Sequence, residues 1–307
     1  MIKRISTVVA VMGAAGVISG CAIEQPSAGC FVQDASFANW SGKYTLVSQP
    51  DAAVTCDDLT GDVLGVWKYF DPDASAETVA QNRAAKLAIR PRRAAQITAY
   101  TYQFQKKDPT TGAPLVYPNG EPQMGSEVFS RLAPGVSPAV ATSMSTTFAN
   151  EPNAEGMCLA NGFNESRVEA LRVPDRDAPT DETKDVQPAT TRIHQFSDVE
   201  VYSAPSAPGT QLRGKLTYST VNPATGQVNC TAQYEVWALW PIAPCDPASE
   251  LASEKCGEGS GLNPDFDVVC DTTQNRTVVR DTDADGNPIY WPGICATARR
   301  PPSFKNQ

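Results

Sequence analysis

The sequence predicts a mainly β protein with minor α, loop-rich and stapled by disulfides, with an antiparallel sheet or sandwich in its C-terminal half. Three observations predict this class. Segments after about residue 195 alternate apolar with polar residues and are rich in β-branched and aromatic side chains. The 25 prolines favour loops over long helices. Nine cysteines, four of them in the tail that begins at Cys245, indicate covalent links between loops.

The chain begins with the plan of a secretory signal. Lys3 and Arg4 precede an apolar stretch over residues 5–18, and small residues follow it. A transmembrane helix takes about 20 apolar residues, so this stretch is too short to span a bilayer comfortably. We therefore expect residues 1–20 to be a signal peptide that is removed from the mature protein.

The motif Ile18-Ser19-Gly20-Cys21 resembles the lipobox, the processing signal of bacterial lipoproteins. The resemblance covers only the start of the chain. It implies that the Cys21 thiol receives a diacylglyceryl group, that the chain is cut before Cys21, and that the freed amine is acylated. Two or three acyl chains would hold the protein on a bilayer, whereas one chain anchors only marginally. By the sorting convention of the family, Ala22 in place of aspartate favours the outer membrane.

Residues 30–173 are expected to form an α+β region that follows a lipidated tether, residues 21–29. Segments rich in β-branched and aromatic residues predict strands, and Ser75 is a candidate helix cap. The predicted strands are 40–47, 61–70 and 95–105, and the predicted helices are 76–88 and 164–173. Two turn signals in 108–125 predict an exposed hairpin or loop.

Residues 174–195 are polar, charged and proline-bearing, and they are the best candidate for a linker or long loop. Residues 196–307 are predicted to be β-rich and to end in a cysteine-rich tail. Residues 222–227 have the composition of a hairpin turn between two strands. Residues 236–240 are apolar on both faces, which predicts a central strand.

Eight cysteines remain when Cys21 is set aside for lipidation, and an even number in an exported chain predicts disulfides. They are Cys30, Cys56, Cys158, Cys230, Cys245, Cys256, Cys270 and Cys295. Eight cysteines allow about 105 pairings. Proximity along the chain favours Cys30–Cys56, Cys245–Cys256, Cys270–Cys295 and, as the remainder, Cys158–Cys230. Zinc is not expected, because the sequence has no CxxC pair and a single histidine.

The chain is acidic, with 34 acidic side chains against 25 basic ones and a net charge of −9. Removal of Lys3 and Arg4 with a signal peptide would make the mature protein more negative still. Such a body argues against nucleic acid as a partner, because phosphate backbones attract basic surfaces.

Residues 281–287 match the start of a calcium-binding loop. Hard oxygen ligands at alternate positions suit calcium because the backbone can wrap around the ion. The candidate ligands are Asp281, Asp283, Asp285 and, through its carbonyl, Asn287.

The match to the calcium loop fails further along. Its twelfth position falls on Pro292, where the motif has a bidentate glutamate. A site would need a carboxylate from elsewhere, and Asp265 and Asp267 are the candidates. The alternative is a β-hairpin whose Asp-Gly turn is set by backbone geometry.

No catalytic constellation stands out. His194 is the only histidine, so a Ser–His–Asp or Cys–His site would have to use it, yet it lies in a predicted strand and the chain has no GxSxG motif. We expect an ordinary strand histidine. Five tryptophans could stack on sugar rings, but their apolar neighbours favour core positions: Trp40, Trp67, Trp237, Trp240 and Trp291.

The expected function is therefore that of a membrane-anchored bacterial lipoprotein without enzymatic activity, acting as an interaction or structural component of the cell envelope. Its expected partners are the lipid bilayer, through Cys21, and an envelope protein or cell-wall component. No cofactor is expected other than the calcium that 281–287 would hold. The alternative is a carbohydrate-binding or hydrolytic module on the envelope that uses this calcium.

Overall fold

The computed structural model of the protein describes residues 29–33, 39–49, 56, 59–71, 73–80, 83–175, 178–273, 278–282 and 288–306. Strands dominate these residues, which confirms the predicted mainly β class. The strands are β1 (Asn39–Ser48), β2 (Gly61–Phe70), β3 (Ala85–Pro91), β4 (Ala99–Gln105), β5 (Met124–Ser130), β6 (Ser143–Met144), β7 (Thr147–Phe148), β8 (Met157–Asn161), β9 (Ser166–Ala170), β10 (Thr190–Tyr202), β11 (Gln211–Val221), β12 (Val228–Leu239), β13 (Pro244–Cys245), β14 (Val268–Asp271), β15 (Val279–Thr282), β16 (Pro288–Tyr290) and β17 (Gly293–Thr297).

The helices in the described part of the chain are short. They are α1 (Ala76–Ala80) and α2 (Arg92–Gln96), together with 3-10 turns at Pro138–Ala141, Glu182–Lys184 and Ala252–Glu254. None of these described helices is long and apolar enough to cross a bilayer.

Ten strands form one large antiparallel sheet in the order β6-β3-β2-β1-β12-β11-β10-β8-β7, with β9 paired to β10 beyond the end of β8. The three consecutive strands β10, β11 and β12 are the longest of the sheet, and each largely alternates buried side chains with more accessible ones. The predicted turn at 222–227 joins β11 to β12, and Asn222 caps it by accepting from the Ala224 amide at 2.9 Å. β12 lies between β1 and β11, as the apolar residues 236–240 predicted.

The large sheet curls until one short segment joins its two edges. β6 pairs with β3 and β7 pairs with β8, and only two residues separate β6 from β7. Of these, Ser145 donates its amide to the carbonyl of Leu87 at 2.8 Å, and Thr146 donates to the carbonyl of Asn161 at 2.9 Å. Residues 143–148 therefore use both of their edges for hydrogen bonding, one toward β3 and one toward β8.

The inside of the curled sheet is filled by apolar side chains. Trp40, Leu64, Leu87, Leu212 and Leu216 each have no exposed surface. Close-packed interiors of this kind leave little room for a ligand.

The tail after β12 forms a separate small sheet in the order β13-β17-β14. Its buried residues pack in one cluster with Met157, Tyr202 and Leu239 of the large sheet.

The hairpin β15–β16 lies beside the loops of this tail. Within the hairpin region, the guanidinium of Arg280 lies 4.6 Å from the ring centre of Trp291. Arg280 also donates to Glu254 at 3.0 Å and contacts Asp246 at 3.4 Å, which ties the hairpin to the loops of the tail.

All eight cysteines lie at disulfide distance, but the pairing predicted from proximity along the chain is wrong. The bonds are Cys30–Cys158, Cys56–Cys230, Cys245–Cys270 and Cys256–Cys295. The first two span 128 and 174 residues, because the closed sheet brings together segments that are remote in sequence. Proximity along the chain is a poor guide wherever strand pairing, and not a local loop, sets the distance between thiols.

Both predicted helices are corrected by the structure. In 76–88, Ser75 accepts the Thr78 amide at 3.1 Å and starts α1, but the helix stops at Ala80 and the chain becomes β3. In 164–173, residues 166–170 form β9 with alternate side chains buried. In each case burial of side chains in the sheet outweighed helix propensity, which contributes less per residue.

Strands from both sides of residues 174–195 belong to the same large sheet. The segment contains a 3-10 turn at Glu182–Lys184 and, from Thr190 onward, the start of β10. The range predicted as a linker thus includes the first six residues of a central strand. Its polar composition reflects the exposed stretch before Thr190.

Candidate functional site

A two-stranded ribbon, residues 99–130, stands apart from the large sheet. β4 and β5 pair along their full lengths, from Ala99↔Ser130 to Gln105↔Met124, and neither pairs with another described strand. Two further bridges within residues 107–122 extend the pairing towards the tip. Residues 108–125, predicted as an exposed hairpin or loop, form the end of the ribbon and the first residues of β5. The strand predicted from residue 95 begins only at Ala99, after α2.

One face of the ribbon carries an aromatic row, Tyr100, Tyr102 and Phe104. Alternate residues of a strand share a face, about 6.8 Å apart, so the sequence YTYQF lines up its three rings. The rings of Tyr102 and Phe104 are stacked, with centres 6.1 Å apart and planes 14° from parallel. Phe129 pairs with Tyr100 across the ribbon and adds a fourth ring that is 41% exposed.

A groove of about 510 Å³ lies between this aromatic face and the chain that follows β9. Its volume is within the range of small-ligand sites, roughly 300–1,000 Å³. The floor is Tyr100, Tyr102 and Phe129, and the wall is Arg172, Val173 and Pro174. The groove thus combines flat apolar rings on one side with a turn of irregular backbone on the other.

The wall is held in place by Arg172. Its guanidinium contacts Asp185 at 2.7 Å and Glu182 at 3.4 Å, and it donates to the carbonyl of Pro179 at 2.9 Å. Asp185 is nearly buried, which makes that pair the stronger of the two. Because two carboxylates neutralise Arg172, this cation stabilises the groove and adds little charge to it.

Arg131 lies at the end of the groove and is a different kind of cation. Its side chain is only 5% exposed, and it donates to the carbonyls of Leu171 at 2.9 Å and Pro188 at 2.6 Å. No carboxylate lies within ion-pair distance of Arg131 among the described residues. Burial and the nearby Arg192 both lower the pKa of the Arg131 guanidinium, although arginine stays protonated in proteins. A buried positive charge therefore lines the groove.

The groove and the N-terminal segment lie at opposite ends of β10. β10 begins at Thr190, two residues after Pro188, whose carbonyl accepts a hydrogen bond from Arg131 in the groove. Near its last residues, Val201 pairs with Cys158, whose disulfide holds Cys30. β10 has 13 residues, so the two ends are about 40 Å apart along the strand.

The structure brings none of the sequence-predicted calcium ligands into a described cluster. Asp283, Asp285 and Asn287 lie outside the described residues, as does the predicted lipidation site, Cys21. Asp281 is exposed on β15, where its carboxylate accepts the Thr282 amide at 2.8 Å. Calcium binding by this loop stays a prediction.

Three other residues singled out in the sequence lie among the described residues: Asp265 and Asp267 as candidate calcium ligands, and His194 as the candidate for catalysis. Asp267 lies 3.4 Å from the guanidinium of Arg299, and Asp265 accepts the Lys305 amide through its backbone carbonyl. His194 is buried in β10, its ring edge-on to Tyr218 with centres 5.1 Å apart.

The aromatic surface of the ribbon is made by half-buried tyrosine and phenylalanine side chains and the exposed Phe129, none of which the sequence argument about tryptophan considered. Trp40 is fully buried, and Trp291 is covered by Arg280. A signal for this surface was present in the sequence: residues 99–105 alternate, and a turn-rich segment follows them. A strand that leads into a long exposed hairpin has no large sheet to cover its apolar face, so its aromatic side chains stay accessible. Arg131 carries no comparable signal in the sequence.

The sequence profile of the MlpA family matches residues 38–241, which include the ribbon and every strand of the large sheet. A protein of Myxococcus xanthus named "Putative lipoprotein MlpA" is 32% identical over 306 residues, or 98% of this chain and 98% of that protein. No solved structure matches the chain significantly. The class is thus that of bacterial lipoproteins, which are membrane-anchored, and the resemblance seen in the lipobox is confirmed. The chain belongs to the MlpA family.

Proposed function

We propose that the protein is a non-enzymatic lipoprotein of the outer membrane that binds a component of the cell envelope through the groove on the ribbon. The observation that carries this proposal is the separation of the groove from the N-terminal segment by the length of β10. A chain held by lipid on Cys21 would have its N-terminal end near the bilayer. The groove would then face the space beyond the membrane, where an envelope component is within reach.

The anchor in this proposal is the acylated Cys21, formed after residues 1–20 are removed as a signal peptide. The tether from Cys21 to Cys30 is short, since nine peptide units reach about 30 Å at full extension. The body is therefore kept close to the lipid surface. Ala22 in place of aspartate supports the outer membrane as the destination.

The absence of enzymatic activity is supported by the surroundings of His194. A nucleophilic site built on a histidine needs that side chain at the surface, beside a serine or cysteine that can reach a substrate. His194 is 1% exposed and packs against Tyr218 inside the sheet. An acid–base role at the groove would have to come from other groups.

The test of the anchor is Cys21→Ala in the full chain, expressed in a bacterium with an outer membrane. We expect the wild type to take up labelled palmitate and to sediment with outer-membrane vesicles. Cys21→Ala should lose the label and leave that fraction, because no thiol remains to be acylated. Ala22→Asp is the matched control: it should keep the label and move to the inner membrane. Equal fractionation and labelling of wild type and Cys21→Ala would contradict the proposal.

A further inference from the structure

We propose that the groove binds an acidic glycan, with sugar rings packed on the aromatic face and an acidic substituent directed at Arg131. This inference deepens the proposed function and depends on it for the location of the protein in the envelope. The binding chemistry itself rests on the residues of the groove.

The aromatic face has the geometry that a chain of rings requires. Tyr100, Tyr102 and Phe104 follow one another along β4, and the rings of Tyr102 and Phe104 lie 6.1 Å apart and 14° from parallel. Sugar rings have apolar C–H faces and polar edges, so they gain from contact with a flat ring while their hydroxyls stay hydrated. A row that continues out of the groove along the ribbon fits an oligomer better than a single sugar.

Arg131 supplies the charge selectivity. A buried cation without a carboxylate partner is costly, and an anion placed beside it recovers part of that cost. The side chain is fixed by Leu171 and Pro188 through its Nε and Nη2 atoms. Its Nη1 atom makes no hydrogen bond to the described residues, and Arg131 lines the groove. A carboxylate or sulfate on a sugar that rests on Tyr100 is the kind of group that Nη1 would bind.

Two other charged side chains line the groove, Arg172 and Asp175. The Asp175 carboxylate repels anions, so the acidic substituent of the glycan is expected beside Arg131 and not beside Asp175. Arg172 is neutralised by Asp185 and Glu182, as described above. The net charge of −9 repels acidic polymers from the rest of the surface, so non-specific attraction does not mimic binding at the groove.

The experiment titrates the detergent-solubilised full-length protein with tetragalacturonate and with its methyl ester, which has the same sugar rings but carries neutral methyl ester groups in place of the carboxylates. We expect the acid to bind about tenfold more tightly than the ester, the gain of one charged hydrogen bond in a buried site. Tyr102→Ala should weaken both ligands about tenfold through lost ring contact. Val128→Ala, on the opposite face of the same ribbon and 67% exposed, should leave both affinities unchanged.

Arg131→Gln should abolish the preference for the acid over the ester while the ester still binds. If that variant does not fold, the comparison of the two ligands on wild type and Tyr102→Ala still decides the outcome. Equal affinity for acid and ester, equal effects of Tyr102→Ala and Val128→Ala, or tighter binding of a tetrapeptide of alternating Glu and Phe would each overturn the proposal. If the glycan does not bind as predicted but Cys21→Ala loses its label and leaves the outer-membrane fraction, the proposed function stands and only this ligand is wrong. If the glycan binds as predicted but Cys21→Ala behaves like the wild type, only the lipid anchor is refuted.

Discussion

At the scale of single residues, the aromatic row of the ribbon depends on a glycine, Gly125. Gly125 pairs with Phe104 across the ribbon, and a Cβ at Gly125 would come within 2.8 Å of the Phe104 ring. The ring therefore lies over bare backbone, and this position places it parallel to Tyr102. A side chain at Gly125 would lift Phe104 out of the stack.

The prediction is that Gly125→Ala disturbs the row without unfolding the protein. Because the ribbon is exposed, we expect a change in the free energy of unfolding within about 1 kcal/mol. The near-ultraviolet circular dichroism of the tyrosines should change, and affinity for tetragalacturonate should fall several-fold. Ser126→Ala, the next residue and on the other face, is the control. An unchanged spectrum and unchanged affinity in Gly125→Ala would show that the stacked geometry is not used.

Arg131 illustrates what sequence does not reveal at this scale. A lone arginine shortly after the hairpin or loop predicted at 108–125 is most simply a surface cation. Its burial results from Leu171 and Pro188, which arrive from segments about 40 and 57 residues further along the chain. Nothing local to Arg131 encodes those contacts.

At the scale of elements, the short segment that closes the large sheet is the critical connection. Ser145 is 2% exposed, and its Oγ accepts the Leu87 amide at 2.7 Å while its own amide donates to Leu87. Both hydrogen-bonding groups of Leu87 thus depend on one serine. Closure removes two sheet edges that would otherwise be open to pairing with other chains.

Replacing Ser145 by alanine should leave the buried amide of Leu87 without an acceptor. We expect a loss of about 1–3 kcal/mol in the free energy of unfolding, measured by urea denaturation. Ser126→Ala, which removes an exposed hydroxyl from the ribbon, should change the midpoint little. A loss in Ser145→Ala no larger than that in Ser126→Ala would mean that the closing segment does not need this bond.

Elements were predictable where periodicity and turn chemistry agreed. β1, β2 and the strands from β10 to β12 follow from alternation and from the turn at 222–227. The sequences of β3 and β9 are rich in helix formers, and only their pairing with β2 and β10 makes them strands. Local propensity is outweighed there by burial against partners that the sequence of the segment does not specify.

At the scale of the whole molecule, the lipoprotein class of the protein was predictable, and the location of its groove was not. The lipobox is a short linear motif that a processing enzyme recognises without the rest of the fold, so residues 18–21 suffice to predict a lipoprotein. The groove joins β4, β5, Arg131 and the chain after β9, which the fold alone assembles. The disulfides show the same dependence, since closure of the sheet decides which thiols meet.

The central claim is that an envelope glycan binds at the end of the molecule remote from its lipid. Hydrogen exchange of the full-length protein in detergent, with and without tetragalacturonate, tests this most directly. We expect slower exchange in residues 99–105, 124–131 and 171–175, because the ligand covers these amides and rigidifies the ribbon. The N-terminal segment 29–33 should be unaffected. Protection confined to other parts of the chain, or none at saturating ligand, would contradict the claim.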